Sequence, residues 1–288
     1  MLRARVTGKA VKDHGETQVV PWWSFSKTVV AAAALVLVDQ GKLCLDEPLK
    51  GKPYTLRHLL QHTAGVPDYW GLKAYQEAVE QRREPWSFDT LLKKADANVL
   101  LFEPGTAWRY SNIGYAYVCR EIERVTNGSL ASALAGLLFA PLGIQDANLA
   151  LGLKDMRRTG LSELEHYHPG WVYPGVVVGS LSAAVSFLWG LSVGKLLSHE
   201  TMLAMRSPLA LNVSVEGRPW KEPGYGLGMM VDTAPSQHSW GHTGLGPGSV
   251  IGVYHFSEPV SATVAVFGQT EDQGAIEFEV IRYAKEGQ

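Results

Sequence analysis

Three short segments carry side chains whose types and spacing suit nucleophilic chemistry. The first is Ser24-Phe25-Ser26-Lys27. If this segment opens a helix, positions i and i+3 share a face with Cβ atoms about 5–6 Å apart, so the Ser24 hydroxyl stands beside the Lys27 amine. A helix N-terminus favours the negative charge that develops as the hydroxyl loses its proton. Burial of the amine favours its neutral, proton-accepting form. Ser26 falls on another face. The second segment is Tyr110-Ser111-Asn112. A phenol held near a cationic amine loses its proton more easily, which lets Tyr110 act as a general base. The Asn112 amide offers a donor and an acceptor, to a substrate amide or to Lys27. The third is Trp240-Gly241-His242-Thr243-Gly244, followed by Leu245-Gly246-Pro247-Gly248. A strand edge passing a nucleophile can present a backbone N–H to an oxyanion, and Gly244 admits close approach of backbone and substrate. Together these groups fit a serine hydrolase that works through an acyl-enzyme on Ser24.

No one segment is specific alone. A chain of this length holds about one Ser-x-x-Lys by chance, and a second stands at Ser192-Val193-Gly194-Lys195. No comparably apolar helix follows that second copy, so it reads as a helix end. Tyr-x-Asn occurs nowhere else in the chain. The weight lies in the order of the three segments and in the element on which each falls.

Those elements are legible from the pattern. From Ser24 to about Gln40 the chain is apolar on every side of a helix, which must therefore lie inside the protein, and Gly41 can cap it. Residues 1–22 read as two strands around a Gly15-Glu16 turn. Helical patterns are expected at 55–62, 71–82, 87–98 with Ser87 as N-cap, 111–126 with Ser111 as N-cap, 129–138, 181–191 and 199–206. Glu103-Pro104-Gly105-Thr106 reads as a turn. Strands are expected at 225–232, 239–242, 249–256 and 260–268, and a last helix at 273–285. Strands at both ends with helices between them point to an α+β protein whose sheet draws on both termini. The division this predicts is a sheet-containing region over 1–45 and 170–288 and a mostly helical region over 46–169, forming one catalytic unit.

The bulk numbers agree with that. The chain has 288 residues, 46% hydrophobic and 19% charged, with a formal net charge of −2. No basic stripe is evident, which argues against a nucleic-acid partner. The longest apolar run, Val29 to Val38, is far short of the about 20 residues that span a bilayer. The N-terminus shows no signal peptide, which predicts a cytoplasmic protein, or a periplasmic or secreted one if the chain has been trimmed. Cys44 and Cys119 are too few for a disulfide framework and read as buried thiols. His58 and His62 stand at i, i+4 on a helix, but Leu59 fills the place of the Glu in a zinc-hydrolase helix, so both read as structural. His166 and His168 read as part of a solvated loop. No metal or cofactor is expected. Trp70, Trp108, Trp171, Trp220 and Trp240 fall in loops or near the motifs, where some can line an apolar pocket, though packing is the commoner role. Gly-x-Ser-x-Gly is absent, which leaves an α/β-hydrolase without support.

With these residues in place, the sequence resembles the serine β-lactamase and penicillin-binding-protein superfamily, in its class C β-lactamase, D-aminopeptidase and family VIII carboxylesterase branch. Segments 38–43, 56–67 (Leu56-Arg57-His58-Leu59-Leu60-Gln61-His62-Thr63-Ala64-Gly65-Val66-Pro67) and 103–106 share in the likeness, which runs from about Val20 to Gln269. The resemblance implies a five-stranded antiparallel sheet flanked by helices, with an inserted all-helical region. It implies that Ser24 is acylated, that Lys27 and Tyr110 share the proton transfers, and that Asn112 positions the acyl side of the substrate. It places His242, Thr243 and Gly244 on the far wall and an oxyanion hole at the backbone amides of Ser24 and Leu245. One departure bears on the substrate. His242 stands where the lactamases carry Lys, and a neutral imidazole attracts a substrate carboxylate poorly. The expectation is therefore an esterase on small esters, with weak β-lactam or D-amino-acid amide hydrolysis. A β-lactamase or D-Ala-D-Ala carboxypeptidase proper, and a penicillin-binding sensor or inactive scaffold, stay open. The chain also reads as short for the group, with the usual N-terminal helix expected to be missing and the stretch between Tyr110 and His242 expected to be trimmed.

Overall fold

The computed structural model describes residues 1–8, 10–13, 18–213, 215–234, 239–257 and 261–286. The Gly15-Glu16 turn lies outside them. The chain opens with β1 (Leu2–Thr7), β2 (Ala10–Asp13) and β3 (Val20–Pro21), then a 3-10 turn (Trp23–Phe25) that runs into α1 (Ser26–Asp39). A helical stretch follows: α2 (Leu56–Leu60), α3 (Lys73–Glu80), α4 (Phe88–Lys94), α5 (Asn112–Thr126) and α6 (Leu130–Leu134), which continues into a π-helical turn (Ala135–Phe139). Then come β4 (Asn148–Leu149), α7 (Leu153–Arg157), β5 (Val177–Gly179), α8 (Leu181–Ser192) and α9 (His199–Arg206). The chain closes with β6 (Leu209–Ala210), β7 (Pro223–Tyr225), β8 (Met230–Asp232), β9 (Ser239–Gly246), β10 (Ser249–Phe256), β11 (Ala262–Gly268) and α10 (Gln273–Lys285).

The architecture is α+β. The main sheet is antiparallel throughout, in the order β2-β1-β11-β10-β9-β8-β7-β6. It thus has eight strands rather than the five that the resemblance implied: β1, β9, β10 and β11 are the long ones, and the short β2, β8, β7 and β6 extend them on either side. Both termini feed it, because β1 pairs with β11 in the register Leu2↔Phe267 to Thr7↔Ala262. Every residue of β10 and β11 is buried. The alternation of the strands explains why. Val250, Tyr254, Val264 and Val266 face Ile276 and Val280 of α10. Ile251, Val253, Ala265 and Phe267 belong to the larger core that includes α1 and α8. A second sheet, β3-β5-β4, holds the chain just before the 3-10 turn.

Helix α1 has twelve buried residues, from Ser26 to Leu37, as its all-round apolar pattern requires. Gly41, after its end, has φ 68°. Ser87 and Ser111 cap α4 and α5 by accepting from Thr90 N–H and Gly114 N–H. The strand expected over 225–232 is instead two strands, β7 and β8, separated by a turn. The reason is a close crossing: the Gly228 carbonyl accepts from Thr28 Oγ1 at 2.7 Å, and a Cβ on Gly228 would stand 2.3 Å from Ala31 Cβ. The backbone must bend around α1 there, with φ 82°. Of the two cysteines only Cys119 is buried, and Cys44 is exposed. Among the described residues no helix is long and apolar enough to cross a membrane.

Candidate active site

The three segments meet at one cavity of about 260 Å³. Ser24, Lys27, Tyr110, Asn112, His242, Thr243 and Leu245 all line it. Ser24 sits in the 3-10 turn ahead of α1 and Lys27 in the first turn of α1, so the i, i+3 geometry holds across the join. Lys27 Nζ is 3.4 Å from Ser24 Oγ and donates to Asn112 Oδ1 at 2.7 Å. Tyr110 donates its phenolic proton to Ser24 Oγ at 3.1 Å. The Lys27 ammonium also lies 4.9 Å from the centre of the Tyr110 ring, a favourable cation–π distance. The Ser192–Lys195 copy fares differently. Ser192 bonds back to Trp189 O at the end of α8, and Lys195 is exposed.

The nucleophile turn is strained. Trp23 has φ 40°, a left-handed conformation that costs a non-glycine residue about 1–3 kcal/mol. Its surroundings enforce it: the indole N–H donates to Ser249 Oγ at 3.0 Å, and the ring meets Tyr167 edge-on. Gly244 lies directly against this turn. A Cβ there would be 2.7 Å from both Ser24 N and Trp22 O. Strand β9 can therefore pass the nucleophile turn this closely only with glycine at that position. The two-residue turn Pro247-Gly248 makes Gly246 and Ser249 the bonded pair of the hairpin. By alternation, the Leu245 N–H points away from β10, beyond the end of β8.

Asn112 is oriented by Asp68. The carboxylate accepts from Asn112 N at 2.8 Å and from Asn112 Nδ2 at 3.2 Å, which turns Oδ1 towards Lys27. Asp68 also lines the cavity, and no Lys, Arg or His stands within ion-pair distance of it among the described residues.

The far wall is joined to the Tyr110–Asn112 segment by a directional chain of hydrogen bonds. Ser111 N–H donates to His62 Nδ1 at 3.1 Å. A nitrogen that accepts is the bare one of a neutral imidazole, so the proton of His62 is on Nε2. That N–H donates to the Tyr225 oxygen at 3.2 Å. Tyr225 O–H then donates to His242 Nε2 at 3.1 Å, and His242 Nδ1–H donates to Thr243 C=O at 2.7 Å. His62, Tyr225 and His242 are all buried. Burial, and then the nearby Lys27 charge, push the His62 imidazole well below its usual range and His242 down to about 3. Both rings are neutral at ordinary pH. On the other side of His242, Thr243 Oγ1 bonds to Tyr254 OH at 2.8 Å and to the buried Glu277 carboxylate.

All eight expected site residues thus come to one place. Sequence reading missed Asp68, His62, Tyr225 and Glu277. His62, which the helix spacing reads as structural rather than metal-binding, stacks on Tyr110 with ring centres 4.2 Å apart. Its partner in that reading, His58, instead closes a capping box at Thr55. Glu277 left a signal. It stands at i, i+3, i+7 with Val280 and Ala284, the buried face of α10, where an acid needs a partner. No group of three or more potential metal ligands gathers among the described residues.

Residues 4–278 match the family model described as Beta-lactamase, and the chain belongs to that family. It is 32% identical over 162 residues to a penicillin-binding protein of Bacillus subtilis (strain 168), a match covering 52% of this chain and 34% of that one. It is 31% identical over 173 residues to Esterase EstB of Burkholderia gladioli, covering 51% of this chain and 43% of that one. The matches thus span less than half the length of either relative. Among solved structures, a D-stereospecific amidohydrolase from Streptomyces sp. superposes with a TM-score of 0.82 at 22% identity, covering 100% of this chain and 94% of that one. That likeness establishes the shared fold.

Proposed function

We propose that this protein is a serine hydrolase that acylates Ser24 and acts on small uncharged esters. The observation that carries the reading is the pair of contacts on Ser24 Oγ, to Tyr110 OH at 3.1 Å and to Lys27 Nζ at 3.4 Å. In the reaction, the Tyr110–Lys27 pair acts in the form one proton short of phenol and ammonium; Ser24 Oγ attacks the ester carbonyl and its proton passes to the vacant site of that pair. The carbonyl oxygen takes up negative charge beside the backbone N–H groups of Ser24 and Leu245. The same pair returns the proton to the leaving alcohol, so an acyl-enzyme and a neutral alcohol result. Water then attacks the acyl carbonyl, again losing its proton to the pair, which passes it to Ser24 Oγ as the acyl–oxygen bond breaks and the carboxylic acid leaves. Asn112, held by Asp68, fixes the Lys27 amine and faces the acyl side. The neutral His242 supports an ester over a β-lactam, because it supplies no charge for the carboxylate that a penicillin carries.

The test is turnover of p-nitrophenyl acetate and butyrate. Ser24→Ala is expected to abolish it, and a fluorophosphonate should add one label per chain by intact mass, on the wild type alone. Unchanged turnover in the variant overturns the assignment. A stable adduct without steady-state product identifies a sensor, and no adduct a scaffold.

A second substrate class is favoured by one observation. Asp68 presents to the cavity a carboxylate that has no ion-pair partner among the described residues, which suits an ammonium next to the scissile bond, as in an amino-acid amide. D- and L-phenylalanine p-nitroanilide test it: neither being cleaved removes this class.

A further inference from the structure

We propose that Glu277 sets the charge of the substrate this site accepts, by drawing the Thr243 hydroxyl proton away from the cavity and so excluding groups that carry a carboxylate at the far wall. This rests on the hydrolase reading above.

Thr243 lines the cavity and its hydroxyl has one proton to give. Behind it, Glu277 on α10 is fully buried. Arg218 grips both carboxylate oxygens, with Nε donating to Oε2 at 2.7 Å and the terminal nitrogen to Oε1. A carboxylate held in this way only accepts. The Thr243 proton is therefore committed to Glu277 Oε1. Tyr254, 2.8 Å away, cannot take that proton as well; its own goes to the Thr243 oxygen or to Met230 Sδ at 3.4 Å. What Thr243 turns to the cavity is a lone pair.

His242 is committed just as fully. Its Nδ1–H is used by the Thr243 carbonyl and its Nε2 by Tyr225. Neither side chain of this wall can donate to a substrate, and neither carries charge. Arg218, behind the wall, is already bonded to Glu277. Lys27 is held at the opposite wall by Asn112. A carboxylate placed against His242 and Thr243 would be desolvated against two side chains that only accept, which is unfavourable. An uncharged amide or ester incurs no such cost. A substrate N–H or O–H finds an acceptor in the Thr243 oxygen.

Glu277 acts through Thr243 and so is a positioning residue. Two substrates of nearly equal size isolate the charge: mono-p-nitrophenyl glutarate, with a free carboxylate, and p-nitrophenyl glutaramate, its uncharged counterpart. The wild-type protein is expected to show a KM at least about tenfold higher for the glutarate, with similar kcat. Glu277→Gln supplies an amide N–H to Thr243, which frees the hydroxyl proton for the cavity, and removes the negative charge opposite Arg218. It should narrow the KM ratio by about tenfold. Glu277→Asp keeps the charge and should keep the ratio, even where overall turnover falls. A purely structural role would lower turnover of both substrates and leave the ratio alone.

Equal KM values in the wild type overturn the proposal, and this comparison stands even where Glu277→Gln fails to fold. An unchanged ratio in folded Glu277→Gln also overturns it. Turnover that survives Ser24→Ala defeats the hydrolase reading itself. Ser24-dependent turnover with no charge preference defeats only the role of Glu277.

Discussion

The two walls of the cavity are built on opposite plans. The near wall, Ser24, Lys27, Tyr110 and Asn112, gathers a hydroxyl, an amine, a phenol and an amide within 3.4 Å of one another along the chain of contacts. Its polar atoms point at each other and at the cavity, where protons have to move. The far wall, His242 and Thr243, is just as polar by composition. Yet its donors are spent on Thr243 C=O and Glu277, and its imidazole is neutral. Polar residues lining a cavity thus fall into two kinds, those left free to react and those tied into the scaffold. The partners behind the wall decide which is which. The two walls are linked through His62 and Tyr225, so their relative position is set by hydrogen bonds between buried neutral groups rather than by charge.

That contrast can be broken hardest at the near wall. Lys27→Ala should lower kcat for p-nitrophenyl butyrate on the order of 10³-fold and Tyr110→Phe about 10²-fold, the range for positioned proton-transfer groups. Steady-state kinetics with KM nearly unchanged would match. A loss of less than tenfold in Lys27→Ala would remove Lys27 from the proton path.

The neutrality of the far wall has a signature in stability against pH. His242 falls from an ordinary value near 6.5 to about 3 in the fold, and the buried His255 to about 4, both through burial first. Between those values and 6.5 the unfolded chain binds more protons than the folded one. Stability is then full above pH 6.5 and is lost as pH falls through the window, by about 1.4 kcal/mol per pH unit for each such group. Thermal unfolding at pH 7, 6 and 5 should show the decline, and His242→Gln should make it shallower. An equally steep decline in that variant would mean His242 is charged in the fold. Activity on neutral esters should show no step near pH 6.5 assignable to His242.

The link between the walls is tested by Tyr225→Phe. It leaves His62 Nε2–H without its acceptor and His242 Nε2 without its donor, which should cost about 1–3 kcal/mol. Calorimetry should register this as a Tm lower by a few degrees, with kcat reduced less than in Lys27→Ala. An unchanged Tm would show that the bonds contribute nothing net. The smallest effect belongs to the second Ser-x-x-Lys. Ser192→Ala should stay within about 0.5 kcal/mol in stability and leave turnover unchanged, and a loss of activity there would reopen the choice of nucleophile.

Much of this was written in the sequence because it is local. The i, i+3 pairing of Ser24 with Lys27 needs only helical geometry. The depth of α1 follows from its unbroken apolar run, and the caps at Ser87 and Ser111 need only the hydroxyl and the turn that follows. The order of the three motifs, with the resemblance they carry, identified the fold and named eight residues that the fold brings to one place. The likeness also marked the substitution at His242.

Contacts between distant segments were decided elsewhere. No pattern in the chain states that Asp68 turns Asn112, that His62 reaches Tyr225, or that Glu277 on the last helix takes the proton of Thr243. Those pairs lie 44, 163 and 34 residues apart in the chain, so only the closed sheet and its packed helices bring them together. Trp23 accepts a left-handed backbone because the packed surroundings of its side chain outweigh the local strain. The split of β7 from β8 exists because Gly228 must clear α1. By itself the sequence determined which groups could do chemistry. The tertiary structure decided which of them keep a free proton, since burial and the partner behind each group are properties of the folded core.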